Sequence, residues 1–118
     1  MFSMEIFRNE KDVQTYSAGE ALVEEGAPGD AMFVVLDGQV EITRQGKVLE
    51  QVGPGGVFGE MALIDQAPRN ATARALTDCT VARIDKKRFM FLVQQTPFFS
   101  LEVMRVMANR IRAMSAMM

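Results

Sequence analysis

The 118-residue chain has no histidine and no tryptophan, one cysteine, four prolines and no charge excess of consequence, with 13 basic residues against 15 acidic ones. The missing histidine excludes His-based zinc sites, His-dependent catalytic triads and the metal chemistry of cupins. Cys79 alone cannot close an internal disulfide, which fits a reducing, cytoplasmic setting. A net charge of −2 and a pI near 5.1 make a poor platform for a nucleic-acid phosphate backbone. Long apolar runs are missing too. Met32-Phe33-Val34-Val35-Leu36, among the longest, is far short of the roughly 20 residues a membrane span needs, and Met1 to Glu10 lacks the apolar stretch of a signal peptide. A soluble chain with no membrane contact of its own is expected. Hydrophobic residues at 48% and charged residues at 24% are those of a globular protein, and 118 residues allow one domain with a sizeable core.

Glycine is what the first half does have. Gly19, Gly26, Gly29, Gly38, Gly46 and the cluster Gly53-Pro54-Gly55-Gly56 punctuate short segments rich in β-branched and aromatic residues. Met32–Leu36, Val40–Arg44 and Val48–Val52 read as strands, with Asp37-Gly38 and Gln45-Gly46 as hairpin turns between them. Ala71, Ala73 and Ala75 alternate with Thr72, Arg74 and Leu76, and Thr80–Asp85 continues the two-residue period. Seven or eight such strands predict an antiparallel sandwich, roll or barrel over about residues 12–85.

From Lys86 onward there is no glycine, and Pro97 divides the segment into two helices, about 86–94 and 98–116. In the second, Val103, Met107, Ile111, Met114 and Met118 form an apolar stripe, with Arg105, Asn109, Arg110 and Arg112 off it. Met104, Met107, Met114, Met117 and Met118 read as core or as a dimer seam, and Cys79 as core filling. The fold class is therefore mainly β, a roll followed by a helical tail.

The stretch Gly55–Ala75, GGVFGEMALIDQAPRNATARA, carries the chemistry. Gly56 and Gly59 flank Val57-Phe58 and permit a close backbone turn. Gly59-Glu60-Met61-Ala62-Leu63 reads as the start of a short helix, and Arg69 follows Pro68 into a strand. Glycine-permitted amides, a helix start and an arginine make a small anion site. A carboxylate there repels a phosphate, so Glu60 makes sense as an acceptor for hydroxyls of the same ligand. Phosphate with hydroxyls means a ribose phosphate. Separately, each residue has a plainer reading: a solvated arginine after a proline, and an acid matched to a helix dipole. Neither Gly53–Gly56 nor Gly46-Lys47-Val48 has dinucleotide-fold or Walker spacing.

FGEMALIDQAPRNATARA resembles the phosphate-binding cassette of cyclic nucleotide-binding domains, the ligand modules of protein kinase A regulatory subunits, cyclic-nucleotide-gated channels and catabolite activator-type regulators. The likeness covers nearly the whole chain, including AGEALVEEGAPGDAMFVVLDGQVEI upstream and the two helices downstream. It implies a jelly-roll-like β-roll of about eight strands with flanking helices, residues 1–118 forming one domain. It implies Arg69 on the cyclic phosphate and Glu60 on the ribose 2′-hydroxyl. Backbone amides near Met61, Ala62 and Asn70 complete the cradle, Gly59 allows close approach, and Ala71 adjoins the ligand. Asn70 departs from the usual Ala, Ser or Thr. A hydroxyl there favours guanine in some relatives, so the expected ligand is cAMP ahead of cGMP. The resemblance implies a non-enzymatic sensor signalling through its C-terminal helix, with no cofactor beyond the nucleotide. A homodimer through that helix, or an effector domain elsewhere, is the expected partner. The alternatives are a ligand-free interaction module and the sensor half of a transcription regulator or channel.

Overall fold

The structure, a computed structural model, describes residues 4–7 and 9–116. A 3₁₀ turn, Met4–Phe7, leads into eight described strands: β1 (Val13–Tyr16), β2 (Ala21–Val23), β3 (Ala31–Asp37), β4 (Val40–Arg44), β5 (Lys47–Val52), β6 (Val57–Phe58), β7 (Thr72–Ala75) and β8 (Cys79–Asp85). Helix α1 (Glu60–Asp65) interrupts them, and α2 (Lys86–Gln95) and α3 (Phe98–Ala116) follow. The strands form two antiparallel four-stranded sheets, ordered β1-β8-β3-β6 and β2-β7-β4-β5. This is the β-roll that the glycine rhythm predicts.

The unbroken apolar run of β3 has a direct cause. One face of its sheet packs on helices and the other on the second sheet, so alternation would leave polar groups in a core. Met32 and Val34 join Ile84, Leu63, Phe99 and Val103 in the helix-side core. Phe33 and Val35 join Val40, Ile42, Val81 and Cys79 in the core between the sheets.

One hairpin is corrected. Gln45-Gly46 does turn β4 into β5, with φ of 51° and 79° as a two-residue hairpin requires. Asp37-Gly38 does not join paired strands. β3 lies between β8 and β6, so both of its edges are taken, and β4 pairs with β5 and β7 in the other sheet. The glycine serves a crossing between sheets: its φ is 90°, and a Cβ there would stand 2.4 Å from the Asp78 carbonyl oxygen.

Asp85 caps α2 by accepting from the Arg88 amide at 2.8 Å. Phe99, completely buried, fixes α3 edge-on between Phe7 and Phe89, at centroid distances of 6.1 and 5.5 Å. The stripe expected on α3 is partly corrected. Val103 is buried and Met107 half-buried, but Ile111 is 56% exposed. Met104 is exposed, while Met117, Met118 and the Met114 side chain lie outside the described residues. The inward face runs instead through Phe99, Val103, Val106, Met107 and Arg110, because the helix packs by its first half and then meets the acidic wall of a cavity. Among the described residues no helix is long and apolar enough to cross a membrane.

Candidate functional site

The cavity, about 240 Å³, lies between the second sheet, the segment from Phe58 to Ala73, and the distal part of α3. Val23, Ile42, Leu49 and Ala73 give it an apolar wall. Its polar groups come from the glycine-marked stretch. Val57 and Phe58 pair with Val34 and Phe33, which anchors the chain entering the site, and Phe58 stacks on Phe33 at 5.3 Å. Gly59 then turns with φ 81° into α1, a conformation that strains any residue with a Cβ.

Arg69 is fixed at both ends. Its amide donates to the Ala27 carbonyl at 2.8 Å, and its carbonyl accepts from the Gly26 amide at 2.7 Å. The side chain is 8% exposed and lies over the Phe33 ring at 5.8 Å. Nη1 donates to the Gly59 carbonyl at 3.0 Å and Nη2 to the Ala31 carbonyl at 2.9 Å. Both acceptors are neutral, and among the described residues no carboxylate forms an ion pair with it. Burial pushes the guanidinium below arginine's ordinary pKa, with Asp30 and, more weakly, Glu60 acting in the opposite direction. Five donors with two carbonyl partners leave this buried cation with donors to spare, a favourable setting for an anion.

Glu60, at 2% exposed, is a second buried charged residue on the wall of this cavity. Its Oε1 accepts from Arg110 Nη1 at 2.5 Å, and its Oε2 is buried with no partner among the described residues. Arg110 also donates from Nε to Glu50 Oε1 at 2.6 Å and from Nη2 to the Val57 carbonyl. Burial opposes the charge of Arg110, but Glu60 and Glu50 outweigh it and raise its pKa above arginine's usual value. An anion-seeking arginine and a carboxylate oxygen in want of a donor thus line one cavity.

All seven residues expected at the site line this cavity: Gly59, Glu60, Met61, Ala62, Arg69, Asn70 and Ala71. Ala62 is buried, Ala71 half-buried, and Asn70 is exposed with Nδ2 3.6 Å from Met61 Sδ. Four further residues carry no signal of their own in the sequence. Gly29 sits in Ala-Pro-Gly-Asp, which reads as a plain turn, yet it makes room for Arg69. Glu50 reads as a solvated strand residue. Met107 and Arg110 read as an ordinary core residue and a surface base, yet both line the cavity. Only their juxtaposition in space reveals them.

Comparison with known proteins bears on the family and the fold. The family model described as "Cyclic nucleotide-binding domain" matches residues 13–96. The chain is 36% identical over 78 residues to a cGMP-dependent protein kinase of Caenorhabditis elegans, covering 66% of this chain and 10% of the kinase. It is 36% identical over 103 residues to a cyclic nucleotide-gated potassium channel of Mesorhizobium japonicum, covering 87% of this chain and 28% of the channel. Among solved structures it is similar to cAMP-bound PfPKA-R, with a TM-score of 0.82 at 26% identity over 97% of this chain and 43% of that one. The chain therefore spans only part of the length of each of these relatives.

Proposed function

The chain belongs to the cyclic nucleotide-binding domain family, and from that premise we propose that its cavity holds cAMP ahead of cGMP, without turnover, as the sensor of a regulatory switch. The carrying observation is the pairing, in one cavity, of a buried arginine and a buried carboxylate oxygen that have, among the described residues, no carboxylate partner and no donor respectively. In this reading Arg69 takes the cyclic phosphate and Glu60 the ribose 2′-hydroxyl. Amides near Met61, Ala62 and Asn70 cradle the phosphate, Gly59 and Ala71 allow close approach, and the apolar wall receives the base. Asn70 offers no hydroxyl for guanine, which supports adenine.

Residues 1–118 act as one module of a larger regulatory system in a cytoplasmic setting. Met107, Arg110 and Ile111 bring α3 to the cavity wall, so a ligand that touches them in one helix position only shifts the population toward it. The exposed Phe98, Leu101 and Met104 on α3 support a partner for that helix, a second copy or an effector domain.

A nucleotide of about 22 non-hydrogen atoms at roughly 0.3 kcal/mol per atom gives about 6–7 kcal/mol, micromolar to tens of micromolar binding. Calorimetric titration with cAMP, cGMP, 5′-AMP and ATP tests the proposal. Tight binding restricted to the cyclic nucleotides is expected, with cAMP first. Equal binding of 5′-AMP, hydrolysis of cAMP, or binding of none of the four overturns it, the last leaving a ligand-free interaction module.

A further inference from the structure

We infer that the outer face of α2 and α3 is a docking surface for an anionic lipid bilayer, with Phe98 and Leu101 entering the headgroup layer between flanking cations. Nucleotide binding plays no part in it, and it gives the exposed face of α3 a lipid partner in place of a protein one. The expectation of no membrane contact rests on the lack of a spanning segment, and a surface that lies on a bilayer needs none.

The net charge of −2 hides a segregation. Residues 1–85 hold seven basic residues against fourteen acidic ones, and residues 86–118 hold six against one. Of those six, Arg88 is paired with Glu10, Arg105 with Glu102, and Arg110 with Glu50 and Glu60. Lys86, Lys87 and Arg112 are exposed and, among the described residues, have no ion pair. Glu102, the one acid, is half-buried and paired, and Asp85, just before α2, is turned onto the Arg88 amide. Among the described residues, the outer face of the two helices therefore offers cations and no unpaired carboxylate of its own.

Apolar side chains occupy the same face. Leu92 of α2 and Phe99 and Val103 of α3 lie in one helix-side core, so both helices turn their opposite faces away from the roll. Those faces carry Met90, Phe91, Phe98, Leu101 and Met104, and Phe98, at 62%, is the most exposed large apolar residue described. The Arg88 guanidinium lies over the Phe91 ring at 4.9 Å, so cation and apolar surface are joined. A second copy seated here would bring two positive faces together. A nucleic-acid backbone matches the charge but leaves these five apolar side chains in water. An anionic bilayer meets both demands: the apolar side chains enter the headgroup boundary, and the cations beside them meet lipid phosphates.

The test is sedimentation of the full chain, without nucleotide, with phosphatidylcholine vesicles that contain or lack phosphatidylglycerol. Binding to the anionic vesicles is expected at least about tenfold above phosphatidylcholine alone, weakening as salt is raised. Lys86→Glu with Lys87→Glu should lower it at least about tenfold, since each cation beside the headgroups is worth about fivefold. Phe98→Ser with Leu101→Ser should lower it about tenfold as well, and thermal denaturation checks that these exposed positions leave the fold intact. The chain has no tryptophan, so Phe98→Trp supplies a lone indole whose emission should shift to the blue on the anionic vesicles. Failure of the wild type to sediment with anionic vesicles overturns the inference. Binding that survives the serine pair and gives no blue shift also overturns it, leaving a site for polyanions. A soluble dimer that the serine pair dissolves, in a protein that does not bind vesicles, gives the face to a second copy and overturns it too. Calorimetry with cAMP and no lipid reads the nucleotide site separately, so each reading can fail alone.

Discussion

A Cβ placed on Gly29 would stand 2.2 Å from Nε of Arg69, forty residues away. Gly29 lies outside the left-handed backbone region, so the obstacle to a side chain there is the guanidinium and not the peptide conformation. Gly29→Ala should therefore move Arg69 without unfolding the roll. The expected result is a loss of cyclic nucleotide affinity of about tenfold, one charge-assisted hydrogen bond's worth, with stability changed by less than about 1 kcal/mol. Paired calorimetry and urea denaturation check it. Gly59→Ala is the contrast, because φ there is 81° and backbone strain adds about 1–2 kcal/mol of instability.

Arg69→Ala should weaken cyclic nucleotide binding at least about tenfold, since charge-assisted hydrogen bonds contribute roughly 1.5–3 kcal/mol. Arg69→Lys should recover little, because a point charge cannot reach the Gly59 and Ala31 carbonyls and a phosphate together. Unchanged affinity in Arg69→Ala would remove the arginine from the site.

Phe99 lies at the centre of the helix-side core with no exposed surface. Phe99→Ala should cost about 3–5 kcal/mol, read as a fall in the urea midpoint. A loss under about 1 kcal/mol would mean that α3 is not anchored where Phe7 and Phe89 meet it.

Alkaline pH should destabilise the fold. Burial raises the Cys79 thiol above its ordinary pKa, with Asp78 and Asp37 adding to the effect. Tyr16, its register partner on β1, is raised first by burial and then by Cys79. Both groups are neutral acids that ionise less readily when folded. Their contribution is whole below the thiol's unfolded pKa of about 8.5 and is lost as pH rises through the folded values. Urea midpoints should fall from about pH 8.5 upward, and Cys79→Ala should flatten the first part of that fall.

Amide exchange should divide α3. Phe99 and Val103 bury its first half, so that half should exchange slowly with or without ligand. Residues 108–116 are mostly exposed and should exchange fast in the free protein, then slow on adding cAMP along with residues 58–62. Protection limited to 58–62 would leave the helix outside the response.

The roll and both C-terminal helices are legible in the sequence because each rests on local order: glycine at turns, a period of two, then a period near four; the cassette is legible through the resemblance of FGEMALIDQAPRNATARA to a known family. The errors arise where two distant segments decide the outcome. Asp37-Gly38 has hairpin chemistry, but strand pairing is set by which edges are free, and β6 and β8 occupy those of β3. Arg110 has the composition of a surface residue, and nothing near it in sequence announces that Glu50 and Glu60 converge on it. The sequence stripe through Ile111 follows hydrophobicity, whereas the helix follows Phe99 and then a carboxylate. Gly29 is the same case, a turn residue whose necessity lies in a side chain forty positions away.

The burial of Val103 gives α3 the mechanics of a lever. At about 1.5 Å per residue, Arg110 lies roughly 10 Å beyond that fulcrum and Ala116 roughly 20 Å. A rigid tilt that shifts the helix at the cavity is therefore about doubled at Ala116. A spectroscopic label at Ala116 would register a change at Glu60 with a gain of about two, and a buried Cys79 leaves an engineered cysteine there as the more accessible thiol.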